Sequence, residues 1–147
     1  MTSLNFQTYR LQLVRESPAE ASQIFDSPIK VFDQILPLFK DLDREHFVVL
    51  ALDVKNKQIG ANTVSIGTLS ASLVHPREVF KVAILANAAS IILAHNHPSG
   101  ELSPSRDDIE LTQRLVRAGE TMGIEILDHI IVGENQEYLS FKEKGLM

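Results

Sequence analysis

Residues 95–108 of this chain read His95-Asn96-His97-Pro98-Ser99-Gly100-Glu101-Leu102-Ser103-Pro104-Ser105-Arg106-Asp107-Asp108. Just upstream, the apolar run Ala89–Ala94 predicts a short central strand leading straight into His95. Downstream, Ser105–Met122 predicts a helix, with apolar or small residues at Ile109, Leu115, Val116, Ala118 and Met122 and Gly123 as its C-terminal cap. Pro98 and Gly100 turn the chain sharply between the two. In an extended segment, His95 and His97 at i and i+2 lie on one face. Any fold of this chain must therefore hold a strand end, a tight turn and a helix start close together.

Two imidazoles and the Asp108 carboxylate can grip one metal ion. Three protein ligands with a fourth position open to water is the pattern of catalytic rather than structural zinc. Such an ion lowers the pKa of its water to about 7. The same residues also have plainer uses. A His-x-His pair at a strand end can be two polar residues at an exposed edge, and Ser105-x-x-Asp108 fits a capping box with Asp in place of Glu. The cap and the ligand are compatible. Metal-assisted hydrolysis further needs a general base, for which the sequence offers Glu45, Glu78 and Glu101 without choosing between them. His75 reads as a helix-entry residue. His129, within an apolar strand, reads as a hydrogen-bonded core histidine, and either it or Asp128 can serve as partner to a metal-bound imidazole.

The rest of the chain supplies a scaffold. Residues 1–7 read as a loose leader, and Tyr9–Val14, with alternating Tyr9, Leu11 and Leu13, predicts a strand. Asp26-Ser27-Pro28 marks a helix start, followed by helical spacing through Leu42 with a kink or break at Pro37. Phe47–Leu52 is continuously apolar, as in a strand buried on both faces, and pairs with Gln58–Ile66 as a hairpin over residues 46–66. Residues 67–73 read as a loop. A helix opens at His75-Pro76 with Val79, Val82, Ala83 and Ala86 inward. Ile124–Val132, interrupted at Asp128-His129, and Tyr138–Phe141 predict two last strands. The order β-α-β-β-α-β-α-β-β predicts a three-layer α/β/α domain with a mixed sheet.

Composition narrows the function. The 147 residues carry a net charge of −5, which argues against a nucleic-acid binder with a basic stripe. The absence of cysteine removes disulfides, thiolate metal sites and a cysteine nucleophile, and fits a cytoplasmic location. No signal-peptide core and no membrane-length apolar run is present.

His95-x-His97-Pro98, six residues, then Ser105-x-x-Asp108 matches the JAMM (MPN+) signature. Ser72-Leu73-Val74-His75-Pro76-Arg77-Glu78-Val79-Phe80, Asn87-Ala88-Ala89 and Leu127-Asp128-His129-Ile130-Ile131-Val132-Gly133 resemble its bacterial RadC-like branch. The resemblance covers about residues 25–141, leaving 1–24 as an N-terminal leader with an extra strand and 25–147 as the JAMM/MPN-type domain. It implies a cytidine-deaminase-like α/β/α fold and a zinc ion on His95, His97 and Asp108. It also implies Glu45 as the group that polarises the zinc-bound water, and Ser105 as the stabiliser of the oxyanion. The implied reaction is hydrolysis of a peptide or isopeptide bond in a peptide or protein substrate.

Two departures qualify the resemblance. RadC-like proteins often carry an N-terminal helix-hairpin-helix module, and this chain is expected to be a short form without one. Asn96 stands where ubiquitin-cleaving members usually have Ser or Thr, so a ubiquitin-like substrate is not implied. The competing reading is a RadC-like accessory protein of DNA repair or processing whose metal site is structural or vestigial. A zinc nucleobase deaminase is disfavoured, because those enzymes use H-x-E with P-C-x-x-C and this chain has no cysteine. The intact ligand set speaks against a purely non-catalytic interaction domain.

Overall fold

A computed structural model describes residue 3 and residues 5–17, 23–67 and 74–147. The expected loop at 67–73 lies outside these residues from position 68 on, as do Ser72 and Leu73 of the family-like segment. In chain order the described elements are α1 (Pro28–Ile35), β1 (Glu45–Leu52), β2 (Gln58–Gly67), α2 (Pro76–Leu85), β3 (Ser90–Asn96), α3 (Arg106–Met122), β4 (Glu125–Val132) and β5 (Tyr138–Ser140). The five strands form one mixed sheet in the order β2-β1-β3-β4-β5. Only β3 and β4 are parallel, and α3 makes the crossover between them.

Alternation along the strands divides the core into two layers. Val48, Leu50 and Leu52 of β1, with Ile92 and Ala94 of β3, pack under Val31, Phe32 and Ile35 of α1. Phe47, Val49, Ile91 and Leu93 point the other way, onto Val79, Phe80 and Ala83 of α2 and Leu111 and Leu115 of α3. This is the expected α/β/α sandwich. Every residue of β3 is buried, as a strand covered on both faces must be.

Local chemistry sets most of the boundaries. Pro28 occupies the first turn of α1, although Ser27 makes no side-chain cap and Asp26 instead pairs with Lys30 at 2.8 Å. The helix ends at Ile35, and a single 3-10 turn, Leu36–Phe39, carries Pro37. Gly123 closes α3 in the left-handed conformation at φ 72°. In β4 the expected interruption is a register shift, with Ile91 opposite Ile126 and Ile92 opposite Asp128, which leaves Leu127 as an extra residue.

The extra strand expected at Tyr9–Val14 does not form. Those residues carry no strand, and Tyr9 and Leu11 are 82% and 79% exposed. An alternating pattern becomes a strand only where a neighbouring edge accepts its hydrogen bonds. Among the described residues the chain meets the sheet later, where the Gln23 carbonyl accepts from Gln58 N–H, Phe25 N–H donates to the Asn56 carbonyl and Ile24 bridges Lys57 at the β1–β2 turn.

Candidate metal centre

The fold brings the C-terminal end of β3, the N-terminal end of β1 and the N-terminus of α3 to one place. His95 and His97 leave β3 on the α2/α3 side of the sheet. The turn after them closes with Gly100 N–H donating to the His97 carbonyl at 2.8 Å, and Gly100 takes the φ of 83° that this turn requires. The chain then enters α3 through a complete capping box. Ser105 Oγ accepts from Asp108 N–H at 3.0 Å, and Ser105 N–H donates to Asp108 Oδ2 at 2.8 Å. The capping reading of Ser105-x-x-Asp108 thus holds, and the cap orients the carboxylate that faces the imidazoles.

His95 Nε2 and His97 Nε2 are 3.0 Å apart. Asp108 Oδ2 lies 3.2 Å from His97 Nε2, and Asp108 Oδ1 lies 3.5 Å from His95 Nε2. Donors placed tetrahedrally 2.0–2.1 Å from an ion stand about 3.4 Å from one another, so this spacing fits a single zinc-sized cation. Among the described residues these three form the group able to hold a metal ion. His97 Nδ1–H donates to the Glu101 carbonyl at 2.7 Å, which leaves the Nε2 lone pair of His97 aimed into the group. Burial, the largest influence on Asp108, pushes its pKa up, but hydrogen bonds and charge from His95 and His97 outweigh it and hold the carboxyl well below its usual range. Burial lowers His95, against the pull of Asp108. His97, more open to solvent, is raised, first by its contact with Asp108.

The three glutamates separate. Antiparallel pairing sets Phe47 opposite His95, and Glu45 begins β1 two residues before that pair, at the end of the strand nearest the site. Glu45 is half-buried, and its charge acts on both imidazoles, favouring their protonated forms. Glu78 is held by Lys81 at 3.1 Å on the surface of α2. Glu101 contributes its main-chain carbonyl to His97 rather than its side chain.

Of three partners around the site, the sequence points to His129 but not to the parts played by Asn96 and Thr112. Asn96 ties Glu45 down from both sides: its Oδ1 accepts from His46 N–H at 2.7 Å and its Nδ2 donates to the Arg44 carbonyl at 3.0 Å. His129 lies against His95, with Nε2 and Nδ1 2.6 Å apart, and its other ring nitrogen is 2.6 Å from Thr112 Oγ1. Thr112 escaped the sequence reading altogether, although its place one turn after Asp108 on α3 puts both on one helix face. Asp128 faces elsewhere. It accepts from Ser140 Oγ–H and from Lys142 N–H, fastening the end of β5 to β4. His75 takes its expected place at the N-terminus of α2, where its carbonyl accepts from Glu78 and Val79.

The family model described as RadC-like JAB domain matches residues 25–146. A UPF0758 protein of Desulforamulus reducens is 55% identical over 130 residues, 88% of this chain and 57% of the relative. One from Rubrobacter xylanophilus is 56% identical over 124 residues, 84% of this chain and 54% of the relative. One from Methanosarcina mazei is 46% identical over 138 residues, 94% of this chain and 58% of the relative. The chain thus spans somewhat more than half the length of these relatives. With its fold, its three-residue metal group and a match over nearly all its length, the chain belongs to the RadC-like JAB domain family.

Proposed function

We propose that this chain is a zinc-dependent hydrolase of the JAMM metallopeptidase type, acting on peptide or isopeptide bonds. The observation that carries the reading is the convergence of His95, His97 and Asp108, with the charge of Glu45 acting on both imidazoles. A zinc ion held there supplies a Lewis acid and activates water near neutral pH. Glu45 takes a proton from the attacking water and delivers it to the leaving amine. Ser105 uses its oxygen lone pair in the cap and keeps its hydroxyl proton, which it donates to the oxygen that gains charge as the carbonyl is attacked. Asn96 fixes the main chain on either side of Glu45 and so limits where that carboxylate can reach.

The test is hydrolysis of fluorogenic peptide amides and lysine isopeptides by zinc-loaded protein, with Glu45→Gln as the control. The variant is expected to keep its zinc and to lose about 100- to 10,000-fold in rate. Equal cleavage by both proteins would contradict the role of Glu45. A salt-sensitive DNA complex with no cleavage of any amide would favour the DNA-processing reading instead.

A further inference from the structure

Behind the metal group lies a buried file of polar atoms that the proposed reaction does not use. It runs from the Asp108 carbonyl to Thr112 Oγ1 at 2.7 Å, from Thr112 Oγ1 to His129 Nδ1 at 2.6 Å, and from His129 Nε2 to His95 Nδ1 at 2.6 Å. Thr112, His129 and His95 are each at most 1% exposed. Phe141 stacks on the His129 ring with centroids 4.5 Å apart, and Phe47 meets its edge at 5.6 Å. Water therefore has little access to either ring nitrogen of His129, and the protons in the file are set by its members.

Two neutral arrangements are conceivable. In one, every donor points away from the metal group. In the other, the Thr112 hydroxyl donates to His129, His129 Nε2–H donates to His95 Nδ1, and His95 Nε2 carries a hydrogen where a metal would bind. Thr112 decides between them. Two oxygens 2.7 Å apart need a proton between them, and a carbonyl has none to give. The hydroxyl proton of Thr112 is therefore committed to Asp108, and its Oγ1 can only accept from His129 Nδ1–H. His129 Nε2 is then bare and accepts from His95 Nδ1–H, which leaves a lone pair on His95 Nε2.

We propose that Thr112 and His129 are positioning residues that lock His95 in the Nδ1–H form, holding its Nε2 ready as a metal donor before any ion arrives. The lock starts and ends on one residue. Asp108 supplies the carbonyl that anchors the file and the carboxylate that completes the metal group, so β3, β4 and α3 are bound into one unit around the ion. The inference rests on the metal-centre reading and is independent of the reaction catalysed there.

The experiment compares zinc affinity, by competition with a chromophoric chelator, in wild type, Thr112→Val and Thr112→Ser, together with imidazole nitrogen NMR of the zinc-free wild type. Thr112→Val keeps the shape and removes the proton; it is expected to bind zinc about 10- to 100-fold more weakly. Thr112→Ser restores a hydroxyl and is expected to return most of that loss. The spectra are expected to show His95 and His129 protonated at Nδ1. A valine variant as tight as wild type, a serine variant as weak as valine, or an Nε2–H signal from His95 would overturn the lock. If Thr112→Val fails to fold, the wild-type spectra still decide. Absence of any zinc binding by wild type would instead strike the metal reading, with the NMR assignment of the file left standing.

Discussion

The His95 imidazole has one nitrogen in dry protein and the other at the metal group, and the energetics of the site follow from that division. Burial pushes His95 down from its ordinary value of 6.5, and burial pushes the enclosed His129 further down. Below pH 6.5 the unfolded chain binds protons at these residues that the folded chain refuses. Their contribution to stability is therefore present above that value and lost as the pH falls. Asp108, held low by its imidazole contacts, adds a loss at still lower pH, below its ordinary 3.8. His97 has the opposite sign: raised by Asp108, its contribution is full below pH 6.5 and fades as the pH rises. With two lowered imidazoles against one raised, chelator-treated protein is expected to show a denaturant midpoint that falls from pH 8 to pH 5. A flat or rising midpoint would contradict the buried, neutral state of His95 and His129. At this scale the sequence displayed the ligands, because His-x-His and Ser-x-x-Asp are local patterns. It could not display Thr112, because the contact that gives that side chain its part comes from β4, seventeen residues away.

At the scale of elements, the site depends on how α3 is seated against the sheet. Gly119 lies in the interior of that helix, where alanine normally gains about 1 kcal/mol. Here a Cβ would stand 2.4 Å from the Ile124 carbonyl and 3.3 Å from the Phe80 ring. The same segment is drawn in tightly, with Ile124 N–H donating to the Gly119 carbonyl at 2.9 Å. Gly119→Ala is therefore expected to destabilise the protein by about 1–3 kcal/mol, read from denaturant unfolding, because backbone rather than a flexible side chain must move. A stabilised variant would show that helix propensity outweighs the close approach. The elements most legible in the sequence were those with a local stop or start: Pro28, Pro37, Pro76, the Ser105 cap and Gly123. Tyr9–Val14 misled because alternation was its only signal, and alternation describes two faces without supplying a partner.

Across the whole molecule, one central strand does two jobs. β3 is covered by α1 on one side and by α2 and α3 on the other, and this makes its C-terminal end a rigid platform for His95 and His97. β1 delivers Glu45 from the adjacent antiparallel position, while the β3–α3–β4 crossover delivers both Asp108 and His129. The three-layer order was readable from the succession of elements together with Phe47–Leu52, whose continuous apolar run demands cover on both faces. The meeting of Glu45 with the histidines depended on strand register, which no single segment carries. No helix among the described residues is long and apolar enough to cross a membrane. Beyond this domain the relatives extend further, and what their remaining length does lies outside the chain.

The proposed function requires that His95, His97 and Asp108 hold one zinc ion. The most direct measurement is metal content by mass spectrometry of protein stripped with chelator, reloaded with zinc and desalted, for wild type and for Asp108→Ala. Wild type is expected to retain about one zinc per chain, and the variant to retain far less while keeping its fold by circular dichroism. Wild-type protein that emerges without stoichiometric zinc, or a variant that holds as much as wild type, would contradict the assignment.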